Sequence, residues 1–437
     1  MKMKNMLCSV CLLCWTLSSA QNNIIELPIT TQNGYGPFEL CFTPISTYSE
    51  EKNDPLYKTY VELKGIPKGW SDVKKGSIET NGIQNVYQNY LLGRISKDYY
   101  ESSKRKLNWS PETFYLSKKE LKCSIAFAYT KDISGKIIMV IDANNNHDFS
   151  DDEIFTPIEK KDFTDLSTND SLLVEKSIIV KYEREINNKI VEETVLLSII
   201  HLTSDDILLY NFPQYLTSSL DREKIVICSN GFMDISSRDP RIVIIDDNTK
   251  KVDYESYISM NEFVKVKNKI YKNKGINLNK NILILEQVGL PYNQLYSTQI
   301  GFKPFPFEGQ NFKTKSKISL DKYKGKYLLI DFWAPWCRPC IDELATLKKV
   351  YDKVDKSKFE ILGIVGDSQA EALEERIFKS SIDWTQIQSD DNNKINKTYG
   401  IIGYPTTFLI NPDGVIVAKN LRGKNLENKI LELIKNE

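Results

Sequence analysis

The chain has 437 residues, 41% of them hydrophobic and 27% charged, with 58 Lys and Arg balanced against 58 Asp and Glu. It is too long for a single core and too ordinary in composition for a disordered, collagenous or coiled-coil chain; length over ~150 predicts about three domain-sized units. Zero net charge supplies no field to gather nucleic acid or anionic lipid, and two histidines, His147 and His201, are too few for His-rich zinc catalysis, a Ser-His-Asp hydrolase or haem attachment.

Residues 1–20 read as a signal peptide: two early lysines, an apolar stretch from Met6 to Leu17, then Ser18 and Ala20 at the −3 and −1 positions of a cleavage site. The stretch is too short to span a bilayer, and no later run approaches the ~20 apolar residues a membrane helix needs. The expectation is an exported, soluble, periplasmic or cell-envelope protein with no transmembrane segment after cleavage. Val10 and Leu13 stand where a lipoprotein site wants a small residue, which argues against lipidation. Cleavage removes Cys8, Cys11 and Cys14, leaving Cys41, Cys123, Cys228, Cys337 and Cys340 of the eight cysteines in an oxidising compartment.

From Ile24 to about Gln299 short apolar runs rich in β-branched and aromatic residues alternate with Asn, Asp, Gly and Ser clusters, an all-β pattern. Strands are predicted at 123–129, 136–141, 177–182, 194–200, 225–228 and 241–245, with one short helix at 99–106. The segment beginning at Lys122 resembles the one beginning at Lys224: a strand, a DIS turn, a second strand ending Ile-Asp, then an Asn-containing loop. This predicts two related β-sandwich-like modules, 21–210 and 211–300, each needing two sheets or a barrel to bury its apolar faces. Cys123 and Cys228 alternate with apolar residues, and all three N-terminal cysteines are read as small packing residues rather than a disulfide.

Within the first module DANNNHDFSDDE, 142–153, places oxygen ligands at calcium-loop positions: Asp142, Asn144, Asn146, the backbone carbonyl of Asp148, and Glu153. Position 6 holds His147 instead of Gly. A structural Ca²⁺ that stiffens the module and a metal-free acidic turn both suit the pattern. The matching loop after the second repeat has Tyr257 where the last acid belongs, so no site is expected there.

GFKPFPFEGQNF, 301–312, is the linker candidate. Beyond it, over 313–437, strands and helices alternate: a strand at 327–332, a helix at 337–354 with Cys340, Leu344, Leu347, Tyr351 and Val354 on one face, and a strand at 359–366. Next come a helix with Ser368 and Glu371 at capping-box spacing, a strand around Trp384, and a helix at 392–399. The hairpin 406–410/415–419 and a helix at 426–434 complete an α/β domain.

WCRPC, Trp336 to Cys340, falls between the first strand and helix of that domain. A structural zinc would need further Cys or His ligands, which the domain lacks, so the pair is read as a redox dithiol. At a helix N-terminus, unpaired N–H groups and the helix dipole favour a thiolate, with pKa values of ~3.5–7.5 against about 8.5 for a free thiol. Cys337 is therefore the expected nucleophile and Cys340 the resolving cysteine, with Arg338 adding positive charge beside them.

DFWAPWCRPC together with GYPTTFLINPDG resembles the thioredoxin superfamily, and specifically the exported TlpA/ResA-type thiol-disulfide oxidoreductases, over about residues 300–437. The resemblance implies a thioredoxin-like fold and a catalytic set of Cys337, Cys340, Asp331, Pro405 and Glu343. Asp331 matches the acid on the strand leading to the site; buried there, it would have a raised pKa and take the proton of Cys340. Pro405 matches the cis-proline facing the cysteines, letting the Tyr404 backbone pair with substrate, and Trp336 and Arg338 complete the substrate-binding set. Glu343 matches an acid frequent in the exported branch, although beside Asp342 it also suits a plain solvated face. Ala345 departs from the proline that usually kinks this helix. Thiol peroxidases want Thr or Ser where Ala334 stands.

The expected activity is reduction of protein disulfides without a required cofactor, fed by a membrane or periplasmic electron donor. The other reading is a binding or structural protein built on the β modules, with the redox pair regulating its assembly.

Overall fold

A computed structural model describes residues 23–435 apart from 108, 160–169, 247 and 254–255. The expected signal peptide, with Cys8, Cys11 and Cys14, lies outside the described residues. The chain divides into two compact units, Met1–Val288 and Gly289–Glu437. Among the described residues no helix is long and apolar enough to cross a membrane.

The first unit is strand-rich, and the predicted strands are present with shifted bounds. Ser124–Lys131 and Ile137–Ile141 form one antiparallel hairpin, and Glu223–Ser229 with Pro240–Ile245 another. Their inward positions, Ile125 and Phe127 in one and Val226 and Cys228 in the other, are buried, as the alternation requires. Four four- or five-stranded sheets result. The sheet of Lys74–Glu79 and the first hairpin shares an apolar cluster with the long strands Ile178–Ile186 and Lys189–Leu202. The second hairpin's sheet shares another with Phe263–Val266, Lys269–Asn277 and Ile282–Val288.

Sheet membership corrects the boundary expected at 210. Ile24–Pro28 pairs antiparallel with Ile282–Val288, and Thr30–Asn33 with Gln214–Leu220. The first strands of the chain thus supply edges to sheets made from its later part, and a cut at 210 would leave both edges without partners. The predicted helix at 99–106 is found as Lys97–Leu107, and a second one, Gly82–Leu91, precedes it.

The second unit carries one five-stranded sheet, in spatial order Thr385–Gln388, Phe359–Val365, Tyr327–Trp333, Thr406–Ile410, Ile416–Lys419. The first three strands run parallel to one another; Thr406–Ile410 is antiparallel to Tyr327–Trp333, and Ile416–Lys419 antiparallel to Thr406–Ile410. Every residue of Tyr327–Trp333 is buried, as befits a central strand covered on both faces. One apolar cluster takes the inner face of the helix Arg338–Lys353 through Leu344, Leu347 and Val350; the other, across the sheet, gathers Phe332, Ile364, Tyr399 and Phe408.

Residues 301–312, expected as a linker, belong to this unit. Gly301 N donates to Ile416 O at 2.8 Å, Ile416 N donates to Phe302 O at 2.9 Å, and Glu308–Gln310 pairs with Lys317–Ser319. Phe305 and Phe307 meet the Tyr399 ring edge-on, so the aromatics that left the sequence without periodicity are anchors onto the core. The expected capping box also differs: Gln369 precedes the helix Ala370–Lys379 without a side-chain cap, and Ser368 Oγ donates to Gly366 O instead.

Candidate active site

The site forms where the central strand Tyr327–Trp333 ends and the helix Arg338–Lys353 begins. Cys337 is the N-cap of that helix, with Pro339 in its first turn, a position where a missing N–H costs nothing. Its Sγ accepts the Cys340 N–H at 3.3 Å, and Cys337 and Cys340 are joined in a disulfide with Cα atoms 5.3 Å apart. Both cysteines are nearly buried, while the neighbouring Trp336 is 63% exposed.

Tyr404–Pro405 is a cis peptide, as the motif led one to expect. Trp336 and Tyr404 meet edge to face with ring centroids 5.9 Å apart, and both hold Asp367: Trp336 Nε1 donates to its carbonyl at 2.9 Å, and the Tyr404 hydroxyl to Oδ2 at 3.2 Å. Asn396 Nδ2 donates to the same hydroxyl at 2.6 Å. Burial and the Asp367 carboxylate push the Tyr404 phenol up to about 12. Gly366 makes this packing possible, since a Cβ there would collide with the Tyr404 hydroxyl and the Asn396 amide. Pro335, Trp336, Ser368 and Arg376 border a groove of about 330 Å³.

Arg338 is strongly exposed, and its Nε pairs with Asp342 Oδ1 at 3.2 Å one turn along the helix. Its charge is therefore shared with a carboxylate, not devoted to the cysteines.

Asp331 lies on the central strand, 2% exposed, opposite Thr407 in the antiparallel register. Its Oδ1 has no hydrogen-bond partner. Burial first and the Glu343 carboxylate second push its pKa up to about 7, against the opposing pull of Arg422. A carboxyl group that exchanges its proton near neutrality suits general acid–base work. Glu343 does not sit on a solvated face: both its oxygens accept the Gly423 N–H, at 3.0 and 3.1 Å, while its neighbour Asp342 is exposed. With Ala345 in place of the usual proline, the helix runs unbroken for 16 residues.

Arg422 is the residue that sequence reasoning missed. Its Nη2 donates to the carbonyl of Pro405 at 2.5 Å, and it faces Asp331. Asn420 N donates to Thr407 O, Thr407 Oγ1 to Leu421 O, and Gly423 N to Glu343, so this segment stitches the cis-proline strand to the active-site helix. The turn KNLRG carries no periodicity and no familiar motif; only tertiary structure brings it to Pro405, Glu343 and Asp331.

The predicted metal residues lie apart, in the first unit. Asp142 is fully buried, its carboxylate accepting N–H groups from Asn146 at 2.9 Å and His147 at 2.8 Å. Asn144 and Asn146 turn their amides to Asp151, Asp148 caps Ser150, and Glu153 is exposed. Three enclosed oxygens, Asn144 Oδ1, Asn145 Oδ1 and Asp152 Oδ2, have no partner. Among the described residues no three His, Cys, Asp or Glu side chains group as a metal site would require.

Of the three remaining cysteines, Cys123 and Cys228 are buried as expected, whereas Cys41 is exposed and so is not a packing residue. Burial pushes the Cys123 thiol well up and that of Cys228 to about 11.

Comparison with known proteins agrees with this geometry. The sequence profile of the AhpC/TSA family matches residues 301–419. The thioredoxin-like protein YneN of Bacillus subtilis is 34% identical over 148 residues, 31% of this chain and 84% of that protein. The chain belongs to the thioredoxin-like thiol-disulfide oxidoreductases. The thiol-disulfide oxidoreductase ResA of Bacillus cereus is 30% identical over 119 residues, 27% of this chain and 68% of its own length. Among solved structures, the thioredoxin domain of a thiol-disulfide oxidoreductase from Bacteroides vulgatus is 29% identical, covering 32% of this chain and 99% of that one, with a TM-score of 0.29. A thiol-disulfide oxidoreductase from Bacteroides fragilis is 33% identical, covering 30% and 98%, with a TM-score of 0.27. This family member is an oxidoreductase enzyme, and its likeness to these relatives spans about a third of the chain.

Proposed function

We propose that the protein is an exported reductase of protein disulfides that works through the Cys337-Arg338-Pro339-Cys340 dithiol. The observation that carries this reading is the Cys337–Cys340 disulfide at the start of a helix, in the same domain as a cis-proline and a buried, proton-exchanging carboxyl group.

In the reduced enzyme the Cys337 thiolate attacks one sulfur of a substrate disulfide, forming a mixed disulfide and expelling the first substrate thiolate. Asp331, ionised for this step, takes the proton of Cys340. The Cys340 thiolate attacks Cys337 Sγ, releases the second substrate thiolate and closes the 337–340 disulfide. Two electrons have passed to the substrate, and a dithiol donor in the membrane or periplasm restores the enzyme. Trp336, Tyr404 and the adjoining groove would hold an extended segment of the substrate, with Arg338 at its rim. The peroxidase alternative lacks a hydroxyl where it needs one, because position 334 is a buried alanine.

The strand-rich unit, read as two sandwich-like modules, positions the oxidoreductase domain or recognises its partners. In the same proposal the Asp142 loop takes a structural Ca²⁺ through Asp142, Asn144, Asn146, the Asp148 carbonyl and Glu153; the three enclosed oxygens without partners support an oxygen-seeking cation there.

Insulin reduction tests the enzyme reading. The wild type should accelerate turbidity with a dithiol donor and Cys337→Ser should not; equal rates would refute it. The size of the first unit favours, as the second reading, a binding protein regulated by its redox pair. Pull-down with Cys340→Ala separates the two, since an enzyme traps clients as mixed disulfides on Cys337, whereas a binder retains partners regardless of redox state.

A further inference from the structure

The first unit contains a cavity of about 600 Å³, within the usual range for small-molecule sites. Its floor includes Glu79, at the end of the strand Lys74–Glu79, opposite Ser124 in register. The two oxygens of this carboxyl group are treated differently. Oε1 accepts from Ser77 Oγ at 3.0 Å and from Ser124 Oγ at 2.9 Å, whereas Oε2 is enclosed and has no partner. An enclosed carboxylate normally stands beside a cation or several N–H donors, and here the protein supplies neither.

The cations that line the cavity are engaged elsewhere. Arg94 Nη1 is 2.5 Å from Glu120 Oε1, and Lys122 Nζ donates to the Asn145 carbonyl at 2.9 Å. Glu183 already accepts the Lys122 N–H at 3.0 Å. Among the described residues lining the cavity, Glu79 Oε2 and Asn145 Oδ1 are enclosed oxygens without partners, and only the former can carry a negative charge. Around it the wall is aromatic: Tyr48, Tyr60 and Tyr210 line the cavity, the first two stacked with centroids 4.2 Å apart. Phenol rings offer apolar contact and a negative face attractive to cations.

We propose that this cavity binds an organic cation, a primary ammonium or guanidinium group on a short apolar stem, with Glu79 as its counter-charge and the tyrosines against its stem. Burial holds the Glu79 carboxyl at about 7, so a bound cation would favour its ionised form. This goes beyond disulfide reduction and does not depend on it. The source is a free small amine or guanidine, or a Lys or Arg side chain of a client protein; both present the same chemistry.

The test is calorimetric titration of the full chain, in mildly alkaline solution, with n-butylguanidinium, neutral n-butanol and a short peptide containing one arginine. Saturable binding of the guanidinium or the peptide, with none for butanol, is the expected result. Tighter binding of the former points to a free metabolite, and of the latter to a client side chain. Glu79→Gln should weaken binding at least about tenfold while leaving insulin reduction unchanged. No binding of either cation at millimolar concentration, equal binding of butanol, or full affinity in Glu79→Gln would overturn the proposal. The wild-type comparison of cation with neutral analogue stands even where the variant does not fold.

Discussion

Asp331 binds its proton more tightly in the folded chain, at about 7, than its ordinary value of 3.8 allows. The folded state thus holds an extra proton between those values, and stability is lost as the pH rises from about 4 to about 7. Above neutral pH Asp331→Asn should therefore be more stable than the wild type, by about 4 kcal/mol at most, and unfold at a higher temperature, with the difference vanishing in acid. The same substitution should slow release of mixed disulfides and remove the step near neutrality from its pH profile. Arg422 opposes the rise of Asp331 and holds the Pro405 carbonyl. We expect Arg422→Gln to move the midpoint of that profile upward while costing about 1 kcal/mol in stability, with Arg422→Lys restoring the midpoint. A purely structural arginine would alter the unfolding temperature and leave the midpoint where it was. None of this coupling was legible in the sequence. Asp331 and Pro405 stand out through their motif, but Arg422 is made relevant by a turn that brings residue 422 to residue 331.

Elements were legible where burial is apolar. The helix Arg338–Lys353 announced itself through Leu344, Leu347 and Tyr351, all buried. The helix Gly82–Leu91 did not, because much of its buried face consists of carboxamides. Gln84 exchanges hydrogen bonds with both the N–H and the C=O of Ser117, and Gln88 reaches Leu121 in the same way, so each side chain imitates a strand neighbour. Such a face reads as polar surface in a periodicity count. The loop 142–153 has the opposite character: its pattern is clear, yet Asp142 is already satisfied by backbone N–H groups. If it takes Ca²⁺, EDTA should lower the unfolding temperature of the wild type and leave Glu153→Gln unmoved. Equal shifts in both, or none in either, would remove calcium from the proposal.

At the scale of the molecule, composition and length foretold several units, and strand patterning foretold a β-rich first part. The dividing point lies at Val288/Gly289, and the aromatics of 301–312 pack onto the second core, which local sequence does not reveal. The 210 boundary failed for a related reason, since strand pairing joins residues about 180–260 positions apart. Two self-contained cores predict two unfolding transitions in calorimetry. The transition that responds to reduction of Cys337–Cys340 should be the one retained by a fragment of residues 289–437; a single transition insensitive to dithiol would contradict the division.

The burial of Cys123 and Cys228, set against the exposure of Cys41, makes the protein its own redox indicator. In a chain lacking residues 1–20, and so Cys8, Cys11 and Cys14, alkylation in the oxidised state should tag Cys41 rapidly and leave both buried thiols untouched. Every further tag gained on mild reduction then reports the 337–340 pair. Counting added mass against a glutathione ratio would yield its reduction potential, and with it the direction in which electrons flow.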